Sequence, residues 1–518
     1  MGFTPIIVGV GDVRNKAAQD SVEPVVLMLE AIRLSLIDCN LSPLNSQRLQ
    51  SDIDSVDVVA CSTWPYHDLP GLVSERLGVD AKHKHYTPTM GNQPVKLLND
   101  MARRIVIGES KVALMTGGET LASLRKLEKA KKFPPPTWTK PGQDINTLYS
   151  PNAVDLLNGT SRIHTIGTPI QVYPLFETGF RAHHNQSYKE NIKESAALYG
   201  EFAKVAEKHP RAWSYGEKTE TEETIGTISD RNRIIYSPYP LLMNAMPFVD
   251  LAAACIVTST EYAEKLGIPK SKWVYPLGGA WARDSEDFYN RPNYYSSPAI
   301  SQALDSGLEN SGLKKEAIDM FDFYSCFPIV PKLACEHLGI PQTNWVKPIT
   351  LLGGLTSFGG AGANYSMHAV AEMVQQLRSA HGRRNGLILA NGGVLSYENT
   401  VCLSNKPRQD GLPYPRENVV LETPAELPCP SFDEQAEGPV TIETYTVEHN
   451  RNGNPIKGYV VCLLKGNGHR IIANHADTAT LQELSNTTQE QIGRSGFVRK
   501  CADVKGRNLF SFRKTTKL

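Results

Sequence analysis

Apolar residues in this chain switch between two spacings, and the switches mark out the elements. Ile6-Ile7-Val8-Gly9-Val10-Gly11 is a short, nearly unbroken apolar run and predicts a buried first strand. From Pro24 to Ile37 the spacing turns helical, with Val26, Leu27, Leu29, Ile32, Leu34 and Ile37 on recurring turns. Val56-Asp57-Val58-Val59-Ala60-Cys61 returns to a strand. Val95, Leu97, Leu98, Met101, Ala102 and Ile105 stripe a helix opened by Met90-Gly91-Asn92-Gln93-Pro94. Lys111 to Thr116 then reads as a strand ending in Gly117-Gly118. A long helical stripe runs from Tyr188 to Lys208 through Ile192, Ala196, Tyr199, Phe202 and Val205.

The pattern recurs. Gly362-Ala363-Asn364 opens a second helix (Tyr365, His368, Ala369, Ala371, Met373, Val374), followed by the strand-like Gly386 to Asn391 and Gly392-Gly393. Upstream, Ile53-Asp54, Val56-Asp57, Cys61 and Leu77-Gly78-Val79 match Ile318-Asp319, Phe321-Asp322, Cys326 and Leu338-Gly339-Ile340. Each copy reads strand, helix, loop, helix, strand. The expectation is a doubled α/β fold with mostly parallel strands. Positions 353–362 hold five glycines, which allow close backbone approach and leave bare N–H groups before a helix.

Beyond Asn405 the period shortens. Gln409 to Pro415 and Leu427-Pro428-Cys429-Pro430 form a proline-rich linker. Alternation over Thr441–Val447, Gly458–Leu464, Arg470–Ala473 and Phe497–Arg499, with turns at Asn452-Gly453 and Gly466-Asn467-Gly468, predicts a small five-strand, OB-like barrel. Thr478 to Leu484 reads as a short helix within it.

Composition excludes several classes. The chain has 518 residues, 41% of them hydrophobic, enough for several domains. Lys plus Arg (54) balance Asp plus Glu (54), so the basic footprint of a nucleic-acid binder is absent. No apolar run approaches the roughly 18 residues of a membrane span. Nine cysteines are scattered without a Cys-x-x-Cys pair, which points to neither a metal site nor a disulfide framework. His183 and His184 are adjacent and point apart on a helix, so they hold no metal jointly. Met1 to Pro5 leads straight into the first strand rather than into a signal peptide. An intracellular setting is expected, cytoplasmic, or peroxisomal if Thr516-Lys517-Leu518 is read as a Ser-Lys-Leu-type address. The lysine- and proline-rich stretch from Ser123 to Gly142 is expected to be an exposed linker.

Over residues 3–405 the chain resembles the thiolase superfamily, most closely its sterol-carrier-protein-type, thiolase-like branch. The matching features are the doubled pattern around Cys61 and Cys326, the glycine loops, and Asp250-Leu251-Ala252-Ala253-Ala254 before an apolar strand. The resemblance implies a five-layer α-β-α-β-α fold with the active site between the halves. Residues 1–122 with 246–284 would form the N-terminal half, 123–245 an inserted loop domain, and 285–405 the C-terminal half. A linker (406–430) and the barrel (431–518) would follow, the barrel resembling the extra C-terminal domain of thiolase-like proteins. It also implies acyl transfer on a coenzyme A thioester, no bound cofactor, and leaves a homodimer open.

The resemblance also locates what is missing. Met90 stands where the nucleophilic cysteine belongs, Gly360 where the histidine belongs, and Ala390 where the second cysteine belongs. A thioether, a hydrogen and a methyl group do none of that chemistry. Tyr324-Ser325-Cys326-Phe327 resembles the His-Asp-Cys-Phe loop of the sterol-carrier branch, so Cys326, Tyr324 and Ser325 are the catalytic candidates. Gly91, Asn92, Gly359, Gly360, Asn391 and Gly392 are candidates for holding the substrate, and Arg231 or Arg233 for a coenzyme A phosphate. Two functions follow: a thioester-processing acyltransferase of non-standard mechanism, or a catalytically degenerate acyl-CoA or lipid-binding protein.

Overall fold

The computed structural model describes residues 3–16, 21–143, 145, 157, 159–424 and 426–514; Thr516-Lys517-Leu518 lie outside the described residues. In chain order the strands are β1 (Pro5–Arg14), β2 (Ser55–Val58), β3 (His83–Tyr86), β4 (Val112–Thr120), β5 (Ile234–Tyr236), β6 (Tyr239–Pro240), β7 (Asp250–Ser259), β8 (Tyr275–Arg283) and β9 (Met320–Phe323). They continue as β10 (Asn385–Gly392), β11 (Tyr397–Ser404), β12 (Val420–Glu422), β13 (Gly438–His449), β14 (Pro455–Leu464), β15 (Arg470–His475), β16 (Ser495–Lys500) and β17 (Asn508–Ser511).

Two five-stranded sheets repeat one design, in the orders β1-β7-β4-β2-β3 and β12-β8-β11-β10-β9. β1 corresponds to β8, β7 to β11, β4 to β10 and β2 to β9, with the same sense at each equivalent pairing. Cys61 and Cys326 each lie three residues beyond the equivalent strands β2 and β9. The sheets are mixed rather than mostly parallel: β7 and β11 run antiparallel to both neighbours. For β11 the reason is connection length, since the short turn from Gly392 to Tyr397 can only return a strand antiparallel. Strand β8 joins the second sheet, so that sheet begins at Tyr275, and β12 adds an edge to it from within the expected linker.

The helices Gln93–Val106 and Tyr365–Ser379 lie between the sheets and touch both. Each therefore buries most of its circumference, including Leu97, Leu98, Met101, Met373 and Val374. Full burial of each such side chain stabilises by about 1.5–3 kcal/mol. Pro24–Asp38 covers the outer face of the first sheet and Pro298–Asn310 that of the second, which completes five layers.

The stretch after β4 departs from expectation. Leu121–Lys129 is a helix with Leu124 fully buried, and Trp138 packs edge-on against Trp64 at 5.2 Å. Lysines on the outer side mask an apolar side at helical spacing.

Two helices, Pro169–His183 and Tyr188–Lys208, cover the second half. The second begins with a capping box between Ser187 and Glu190. A fully buried Lys332 on the helix Ile329–Leu338 pairs with Glu177 at 2.8 Å and Glu194 at 2.7 Å and bonds Ser195, tying the cover to the core. At the C-terminus β13-β14-β15-β17-β16 close on themselves into a five-stranded barrel. Strand β5 of the insertion pairs with β13, so the barrel sheet runs on into the cover.

Candidate functional site

Three loop segments meet at the ends of β9 and β10. Tyr324-Ser325-Cys326 follows β9, Asn391-Gly392 ends β10, and Met90-Gly91-Asn92 precedes the first central helix. Contact is close at Gly91, where a Cβ would fall 2.4 Å from the Tyr324 hydroxyl and 2.6 Å from the Asn391 carbonyl. Tyr324 packs edge-on against Tyr365 at 5.6 Å.

Successive strand residues face opposite sides of a sheet, and at the end of β10 this splits the candidates into two groups. Ala390 and Gly392 face the central helices. There Asn92 donates from Nδ2 to Asn399 Oδ1 at 2.8 Å, and Gly392 lies against Asn92 and Met90. Asn391 faces the cover helices. Its Nδ2 donates to Tyr173 Oη at 2.7 Å and approaches the Cys326 sulfur at 3.7 Å. Tyr173 in turn donates to the Gly393 carbonyl and stacks on Phe327 at 4.7 Å.

Cys326 is therefore on the Asn391 side, apart from the Met90 side. Burial pushes its thiol up to about 12, with Glu398 also opposing ionisation. At neutral pH Cys326 is a thiol. Ser325 is fully buried beside Gly354, and its carbonyl accepts from Tyr199 Oη at 2.8 Å. Gly359 packs against Val249, Leu251 and Trp213, and Gly360 against Ala245, Met246 and Leu355. Gly359 has φ +114°, which a side chain rarely adopts. Arg231 is exposed and pairs loosely with Glu220 at 3.7 Å, while Arg233 bonds the Ile234 carbonyl.

The sequence reading missed Glu398 and Arg291. Glu398 lies directly opposite Asn391 in the β10–β11 ladder, so its side chain shares the Cys326 side. It is fully buried, and neither carboxylate oxygen has a protein partner. Desolvation holds its pKa well above the usual range, opposed by the nearby Arg291 charge. Arg291, also buried, bonds Asp284, Ser285, Val394, Leu395 and Ser396 through its terminal nitrogens and leaves Nε without a partner. In sequence, Glu398 reads as one polar residue of Ser396-Tyr397-Glu398-Asn399-Thr400, and only the register exposes its role. Among the described residues no cluster suits a metal ion, and no helix is long and apolar enough to cross a membrane.

Two matching sheets around two shared central helices define a thiolase-like fold, and comparison with known proteins agrees. Residues 421–502 match the family model of the thiolase-like protein type 1 additional C-terminal domain. The chain is 27% identical to a monomeric SCP2-thiolase-like protein type 1 from Mycobacterium smegmatis, covering 98% of this chain and 99% of that one, with a TM-score of 0.80. Two further structures share the fold at lower identity. The dimeric peroxisomal thiolase of Saccharomyces cerevisiae is 15% identical, covering 77% of this chain and 97% of that one, TM-score 0.53. An acetyl-CoA acetyltransferase from Syntrophomonas wolfei is 13% identical, covering 78% of this chain and 100% of that one, TM-score 0.55. No curated protein matches in sequence. The chain thus has a thiolase-like fold, and its residues 421–502 match the type 1 additional C-terminal domain.

Proposed function

We propose that the protein binds a coenzyme A thioester at the ends of β9 and β10, on the side of Asn391 and Cys326, and acts on the acyl group without a cysteine nucleophile. The observation that carries this reading is the pairing of a retained frame with substituted chemistry. Met90, Gly360 and Ala390 occupy the reactive positions, and the remaining thiol, Cys326, stays protonated. Acyl transfer of the thiolase type needs a thiolate and a proton acceptor, and the positions that carry them in the family pattern hold neither here. What remains are polar side chains able to hold and polarise a carbonyl: Asn391, Tyr173, Tyr324 and Ser325.

A second reading is favoured by the tight seat of Gly91 against Tyr324: a binding protein that no longer turns its ligand over. Isothermal titration of acetyl-CoA and acetoacetyl-CoA, with a thiolysis assay alongside, separates the two. Binding with slow, cysteine-independent turnover supports the first reading; binding without turnover moves the conclusion to the second. No binding of either thioester removes both. The protein acts as a monomer in this proposal. The edge strand β3 presents His83, Lys84 and His85, and such charged edges resist pairing with a second sheet.

A further inference from the structure

Three buried groups on the cover-facing side of β10–β11 hold polar atoms with no protein partner. They are both oxygens of Glu398, Nε of Arg291 and Oδ1 of Asn391. All three residues are fully or almost fully buried. Buried polar atoms without partners cost about 1–3 kcal/mol each, so natural cores rarely collect them in one place. Their arrangement has a functional rationale. Asn391 and Glu398 are cross-strand partners, so their side chains rise side by side. Arg291 is fixed by five hydrogen bonds through its terminal nitrogens, which leaves Nε–H as a spare donor. A carboxylic acid in apolar surroundings keeps its proton and becomes a second donor.

We propose that Glu398 and Arg291 form a two-donor grip for the carbonyl oxygen of the bound acyl thioester, on the side of β10–β11 shared by Asn391 and Cys326. This rests on the reading of the ligand as an acyl thioester and assigns the group that recognises it. Donors aimed at a carbonyl oxygen in a dry site stabilise the negative charge that develops there. The grip polarises the carbonyl in a site where the nucleophile, the histidine and the second thiol of the family pattern are replaced by Met90, Gly360 and Ala390. Glu398 must remain neutral for this, and its full burial supplies the means; on the other partner, the Phe176 ring lies 5.9 Å from the Arg291 guanidinium.

The test uses the full-length protein and acetyl-CoA labelled with carbon-13 at the thioester carbonyl. Isotope-edited infrared spectroscopy reads the carbonyl stretch, and calorimetry reads affinity. In the wild type the bound carbonyl should move to lower frequency. Glu398→Gln keeps a donor and should retain part of the shift. Glu398→Ala should lose it and weaken binding roughly tenfold. Thermal midpoints establish that both variants fold. Acetyl-CoA that binds all three proteins alike with an unshifted carbonyl overturns the grip and leaves the acyl-thioester reading standing. Failure of the wild type to bind acetyl-CoA at all overturns both.

Discussion

Asn92 and Asn364 hold the same place in the two halves, and each reaches across into the other. Asn92 donates to Asn399 of β11, and Asn364 donates from Nδ2 to the Gly117 carbonyl of β4, both at 2.8 Å. Each sits at the N-cap of a central helix, yet neither side chain caps its own helix. The amide that would ordinarily satisfy the first turn is committed instead to joining the halves.

Asn92→Ala or Asn364→Ala should lower the unfolding free energy by about 1–3 kcal/mol, because each strands a buried partner. Urea denaturation followed by circular dichroism measures this. A midpoint unchanged in both variants would mean that the crossing contacts contribute nothing.

Gly91→Ala should destabilise the chain by roughly 1–3 kcal/mol, since its Cβ would lie 2.4 Å from the Tyr324 hydroxyl. Combining it with Tyr324→Phe, which removes that oxygen, should recover part of the loss. A double-mutant cycle on thermal midpoints reads the coupling, and strict additivity would show that the two residues do not meet.

Cysteine reactivity should follow exposure, with Cys429 alkylated first because it is the exposed thiol among the nine. Cys326, Cys335 and Cys402 should react slowly, as burial pushes each to about 12. Brief iodoacetamide treatment and mass spectrometry rank them. Labelling of Cys326 ahead of Cys429 would contradict a protonated thiol.

Asp322 should make the protein less stable as pH rises from weakly acidic to neutral. Burial raises its pKa from 3.8 to about 7, against opposing hydrogen bonds from Leu351 N and Thr350. Between those values the folded chain keeps a proton that the unfolded chain releases. Its contribution is complete below 3.8 and is lost as pH climbs through about 7, at up to about 1.4 kcal/mol per pH unit. Asp322→Asn should flatten the dependence in unfolding experiments across that range. An unaltered slope would place the titration elsewhere.

The duplication was legible because both copies keep the same local grammar: a Gly-x-Asn or Gly-Asn opening, an apolar helix and a strand closed by two glycines. Thr478–Leu484 and Tyr188–Lys208 were readable in full, since their stripes stand alone. Strand β17 was not, because Asn508 to Ser511 is too short to show a period. The split at β10 was also hidden. Ala390 and Asn391 are neighbours in sequence, and only the pleat sends one toward Asn92 and the other toward Cys326. Arg291 lies in an irregular loop, and nothing local marks it as buried.

The Arg470 contact gives the barrel a role at a distance. Fully buried on β15 and paired with Glu443, Arg470 donates to the carbonyls of Tyr289 and Arg291. The barrel therefore clamps the backbone that presents the Arg291 side chain. A gene shortened before β13 would strand those carbonyls and slacken the loop, so the damage would fall on the pocket itself. Over evolutionary time this couples the fate of the two: while the pocket is under selection the barrel is too, although its own surface need touch no ligand.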